Sequence, residues 1–144
     1  MNTSKHYVDP CGLPPEYNYF SKIHSVDLDN SINPWKAVAS MVTGESYHIR
    51  RFNSIIFRTK LIQVLKEENF DIIQLETLYL APYIDTIRTY SKARIVMRAH
   101  NVEHEIWERI THNTDSNLRK WYLGYLTKKL RKYEIEQFPA YDYL

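Results

Sequence analysis

The sequence predicts an α/β domain built on a parallel sheet, and three observations lead there. An apolar, β-branched run at 71–75, a helical pattern at 77–90 and a second β-rich run at 94–98 follow one another within 28 residues. That is the spacing of a strand–helix–strand unit, whose crossover is right-handed in nearly all cases and whose two strands are therefore parallel. Upstream, Phe52, Ile55, Ile56, Ile62 and Leu65 recur at helical spacing, so residues 52–68 supply a helix feeding the same sheet.

Taken in order, residues 1–20 hold Pro10, Gly12, Pro14 and Pro15 among scattered tyrosines, a density of breakers that reads as an irregular connection. Residues 22–28 alternate through Ile23, Val26 and Leu28 as a short strand. Asn33-Pro34 opens a helix over 34–42, with proline in the tolerated first turn, and Gly44 ends it. After the strand–helix–strand unit a further helix starts near Val102. The last helix, 117–137, sets Leu118, Tyr122, Tyr125, Leu126, Leu130 and Tyr133 on a broad apolar side, and a new strand begins at 141–144.

Composition removes several function classes. The 144 residues include three glycines, Gly12, Gly44 and Gly124. None is close enough to another to build a Walker loop or a Gly-x-Gly-x-x-Gly turn, because both need clustered residues without Cβ for backbone N–H groups to approach a phosphate. Charge is nearly balanced, 19 basic against 17 acidic, which argues against a nucleic-acid binder. The balance is uneven along the chain, net −1 over 1–116 and +3 over 117–144. The single Cys11 makes neither an internal disulfide nor a cysteine zinc site, and no run reaches the length of a membrane span. The expectation is a soluble, cytoplasmic protein. Twelve tyrosines inflate the apolar fraction and leave a leaner core than it suggests.

Both strands of the unit end on one edge, Glu76 leaving the first and Arg98 to His104 the second. Ligands of open α/β sheets bind outside the carboxyl ends of strands, so these residues share an expected crevice. The run Arg98-Ala99-His100-Asn101-Val102-Glu103-His104 holds most of the chemical potential and admits three readings. As His-x-x-Glu-His, it matches a zinc-protease pattern that needs both imidazoles on one helical face. As a local signal, His100 and Asn101 cap the helix near Val102, with Glu103 and Glu105 in its first turn. As topology, a histidine at a strand's carboxyl end, with Arg98 beside it and a helix N-terminus behind, suits an anionic or polyhydroxylated ligand.

These residues also carry a family resemblance. The run Phe70-Asp71-Ile72-Ile73-Gln74-Leu75-Glu76-Thr77-Leu78-Tyr79-Leu80-Ala81-Pro82-Tyr83-Ile84, the stretch 98–104 with Trp107-Glu108-Arg109, and Trp121-Tyr122-Leu123 resemble the N-terminal half of family 4 glycosyltransferases. Asn2-Thr3-Ser4-Lys5-His6-Tyr7 and Tyr47-His48-Ile49-Arg50-Arg51-Phe52 fit the same pattern. The resemblance implies a Rossmann-like parallel sheet with flanking helices, an incomplete N-terminal half of a retaining GT-B enzyme that moves a sugar from a nucleotide-sugar donor to a glycan or lipid-linked acceptor.

By the same resemblance His100 is the cleft-facing catalytic histidine that contacts the donor sugar; Arg98, Asn101, Glu103 and Glu76 are expected to bind substrate, Glu76 reading equally as a solvated carboxylate near a helix N-terminus. A retaining transfer passes through an oxocarbenium-like state, which polar groups around the sugar and leaving phosphate stabilise. The family's first strand with its glycine-rich loop would precede Met1. Its nucleotide-binding domain would follow Leu144, so residues 1–144 are expected to hold no cofactor and to be inactive alone. By the same resemblance the basic 117–137 helix docks on the inner face of an anionic membrane; read from its charge alone, it is a surface helix packing its apolar side on the sheet with its lysines in water. The competing reading is a non-catalytic binding module, oligomerising through an exposed sheet edge.

Overall fold

The computed structural model describes Asp9, residues 22–29 and residues 46–144. Among these the elements are α1 (Tyr47–Arg50), α2 (Ile55–Glu67), β1 (Ile72–Leu75), a 3-10 helix (Leu78–Tyr83) continuing into α3 (Ile84–Tyr90), β2 (Arg94–Met97), α4 (Glu103–His112), α5 (Asn117–Gln137) and a closing 3-10 turn (Phe138–Ala140). The irregular start at 1–20, Asp9 aside, and the helix expected at 34–42 lie outside the described residues.

β1 and β2 form a two-stranded parallel sheet in the register Ile72–Arg94 to Leu75–Met97, as the strand–helix–strand spacing requires. The fold is thus mixed α/β around a small parallel sheet. Next to β2 the chain's last residues take up a parallel bridge, Tyr143 opposite Val96, where the sequence places a new strand. Met97 N–H donates to Tyr143 O at 2.9 Å and Asp142 N–H to Ile95 O at 2.8 Å. The Asp142 carboxylate holds this segment in place, accepting from Ile95 N–H at 2.7 Å and from the Arg88 guanidinium at 2.8 Å, with Arg94 at 3.3 Å. The Ile95 N–H and the Arg88 guanidinium beside it hold that carboxyl below its ordinary value.

Three elements depart from the sequence reading. Residues 22–28 carry no regular element, with one bridge position at Asp27 in place of a strand. The 77–90 helix begins as 3-10, capped by Thr77, and becomes α only after Pro82, whose missing N–H interrupts the helical ladder. α2 starts at Ile55 behind the Ser54 cap, and its first two isoleucines face outward, Ile55 73 % and Ile56 64 % exposed. Ile56 and Leu65 stand nine residues apart, two and a half turns, so when Leu65 enters the core Ile56 points away from it. Arg58 serves the inward side of that first turn, donating to the Pro82 carbonyl at 3.0 Å and to Thr86 while lying over the Tyr83 ring.

The core gathers Ile87, Ile95 and Leu130 with Leu65, Leu75 and Met97, so strands, α2, α3 and α5 share one apolar centre. α5 keeps its expected bounds and, Leu118 apart, its expected face: Leu126 and Leu130 are buried, and Tyr122, Tyr125 and Tyr133 pack against the buried clusters. Leu126, Thr127, Leu130 and Glu134 are its buried residues, whereas Leu118 is 77 % and Trp121 63 % exposed. Trp121 and Leu130 are again nine residues apart and point to opposite sides. Among the described residues no helix is long and apolar enough to cross a membrane.

Candidate functional site

The two strands deliver their last side chains to one place. Glu76 follows β1, and Arg98 to His100 follow β2; His100 Nε2 stands 2.7 Å from Glu76 Oε2 and Arg98 Nη1 3.8 Å from the same oxygen. An ionised carboxylate only accepts, so the His100 ring donates through Nε2. The Gln74 amide donates to the other oxygen. The Gln74 and His100 hydrogen bonds, with the Arg98 charge behind them, hold the Glu76 carboxyl below its usual value. Glu76 is therefore the ionised anchor of this edge.

The second wall is the start of α4. Its N-cap is Val102, which offers no side-chain acceptor, so His100 and Asn101 do not cap the helix as the local reading expects. The cap comes from another helix. Glu134 of α5 accepts Glu103 N–H at 3.1 Å and His104 N–H at 3.2 Å, and His104 Nδ1 lies 2.7 Å from Glu134 Oε2. Free N–H groups at a helix start need such an acceptor, and a carboxylate also matches the positive helix end. Glu103 turns its own side chain to Tyr79, whose hydroxyl donates to it at 2.9 Å. Burial, reinforced by the Glu134 charge and opposed by the Tyr79 hydrogen bond, pushes the Glu103 carboxyl up. Burial, then the Glu103 charge, does the same to the Tyr79 hydroxyl.

Between these walls lies a cleft of about 230 Å³. Glu76, Glu103 and Glu134 line it together with His100 and Asn101, while Leu78, Met97, Phe138 and Tyr141 supply an apolar side. Of the five residues singled out by the sequence, Glu76, His100, Asn101 and Glu103 are thus brought to one cleft, and Arg98 stands at its edge, reaching Glu76. The His-x-x-Glu-His spacing does not unite its histidines: His100 lies in the loop and pairs with Glu76, whereas His104 lies inside α4 and pairs with Glu134. Among the described residues no group of three or more His, Cys, Asp and Glu converges as metal ligands do.

Comparison with protein-family models, with curated proteins and with solved structures gives no match.

The residue that sequence reasoning misses is Glu134. A signal was present: Glu134 stands four residues after Leu130, on the same helical face as the core leucine, where a charge is worth placing only against a partner.

Proposed function

We propose that this chain is the acceptor-side portion of a retaining GT-B-type glycosyltransferase, with His100 as the group that contacts the transferring sugar. The observation that carries the reading is the convergence of His100, Glu76 and Arg98 at the carboxyl ends of two parallel strands, beside a cleft with one apolar wall. An imidazole anchored by a carboxylate is fixed in orientation and can hydrogen-bond a sugar hydroxyl through its other nitrogen. Arg98 supplies positive charge near a leaving phosphate, and Glu76 and Glu103 accept from hydroxyls. Nucleotide binding falls, by the resemblance, to a second Rossmann-like domain. In a protein carrying both domains, His100→Ala should lower sugar transfer by a hundredfold or more; unchanged turnover would remove His100 from the chemistry.

A specific observation favours peripheral membrane contact as a companion property. Leu118, Trp121 and Ile135 are exposed on α5, and Lys128, Arg131 and Lys132 are exposed on the same helix. Exposed apolar side chains among cations are what an anionic lipid surface binds. The chain should cosediment with phosphatidylglycerol vesicles and not with phosphatidylcholine vesicles, and Trp121→Ala should weaken that binding several-fold. Equal recovery with both vesicle types would set the membrane reading aside. Sedimentation equilibrium of the chain alone tests the binding-module alternative, which requires a stable oligomer.

A further inference from the structure

The cleft's own charges choose between the ligand classes that the strand-end topology leaves open. The N-terminus of a helix of α4's length is ordinarily a seat for an external phosphate or carboxylate. Here that seat is filled from within: Glu134 takes the Glu103 and His104 N–H groups and the His104 ring, leaving the cleft its negative charge without its donors. Glu76 and Glu103 add carboxylates on either side, and among the described residues no lysine or arginine lines the cleft. Arg98 stands at the edge and faces Glu76.

A second observation points to a hydroxylated ligand. Tyr141 lines the cleft, is only 8 % exposed, and its buried hydroxyl has no hydrogen-bond partner among the described residues. Buried hydroxyls are nearly always paired, so an orphan on a cleft wall marks a place for a partner that arrives with the ligand. Leu78, Met97 and Phe138 beside it offer the flat apolar contact that the C–H face of a sugar ring takes. An anion entering here would meet three carboxylates at short range, against which the lining sets the Asn101 amide, the Tyr141 hydroxyl and the His100 ring already paired to Glu76.

We infer that this cleft selects an uncharged acceptor sugar, its hydroxyls donating to Glu76 and Glu103 and meeting Tyr141, and that it rejects phosphorylated and uronate acceptors. The inference rests on the sugar-transfer reading and narrows its acceptor to a neutral one. Glu134 is its specificity-determining residue: by closing the helix end it takes up the backbone N–H groups that would hold an anion.

The test is a titration of the 144-residue chain, followed by ¹H–¹⁵N resonances, with the methyl glycosides of glucose, galactose, mannose and N-acetylglucosamine against glucose 6-phosphate and glucuronate. At least one neutral glycoside should move the amides of 76–78 and 99–104, and the anionic sugars should need tenfold or more higher concentration for the same shifts. Glu103→Gln, which leaves the α4 cap intact, should narrow that gap to about threefold, and Glu134→Gln should narrow it further if circular dichroism shows it folded. Anionic sugars binding at these amides as tightly as neutral ones, or a gap unchanged in Glu103→Gln, would overturn the selectivity while leaving sugar transfer standing. Shifts by no sugar of either kind would overturn both.

Discussion

His48 shows how a single side chain can set a pH limit. It is 4 % exposed, its ring lies 3.9 Å from that of Trp107, and its buried Nε2 has no hydrogen-bond partner among the described residues. Burial, with the Arg51 charge adding to it, lowers its pKa to about 4, so the folded protein holds it neutral. The unfolded chain binds this proton near pH 6.5. Between those two values the unfolded state carries more protons, so stability rises with pH there and is lost as pH falls from 6.5 toward 4. The full loss is on the order of 3 kcal/mol. Urea unfolding from pH 7.5 to 4.5 should show that decline in the wild type and a flatter one in His48→Phe; parallel profiles would exclude His48 as the cause. Asp142 acts in the other range. Its carboxyl is held low, so its contribution is present above the ordinary carboxylate pKa and fades only as pH drops through the lowered value. Asp142→Asn should speed amide exchange at Met97, whose N–H reaches Tyr143 O beside that carboxylate, and an unchanged rate there would separate the bridge from the carboxylate.

Helices α4 and α5 show how much of an element can be read in advance and where reading stops. The bounds of α5 follow from its cap at Ser116 and its periodicity, and the strand–helix–strand unit from its spacing. Where the inward stripe stops does not follow, because periodicity ranks apolar residues without saying how far along the helix the contact with the core runs. Ile55, Ile56, Leu118 and Trp121 all fit a helical pattern and all lie outside the buried stripe. The candidate site divides along the same line. Glu76, Arg98 and His100 were legible because parallel strands fix which ends coincide. Glu134 was not, because its partners lie 30 and 31 residues away and depend on how α5 docks. Removing that cap should be expensive: Glu134→Ala strands two half-buried N–H groups and the His104 ring, and is expected to destabilise by about 1–3 kcal/mol in chemical unfolding. Gly124 offers the opposite change. It sits inside α5, and a Cβ there would meet nothing nearer than the Thr111 methyl at 3.8 Å, an ordinary contact. Gly124→Ala should stabilise by roughly 1 kcal/mol through helix propensity, raising the melting temperature by about 3 °C.

At the scale of the whole molecule, a small parallel sheet holds the cleft because its strands point their carboxyl ends the same way, and the α4–α5 hairpin closes the side that the sheet leaves open. The glycine scarcity fits this plan, since among the described residues no glycine lines the cleft. Beside β2 the chain's own Asp142 and Tyr143 occupy hydrogen-bonding positions that an edge strand would otherwise offer to another chain. The cross-helix cap has a consequence for how the site comes into being. The contacts that define the cleft, Glu76 to His100, Tyr79 to Glu103 and Glu134 to the α4 start, each join residues 24 to 31 positions apart. No local segment can preform it. The binding surface and the tertiary fold should therefore melt together as one cooperative event, with the amides of Glu103 and His104 exchanging only through global unfolding.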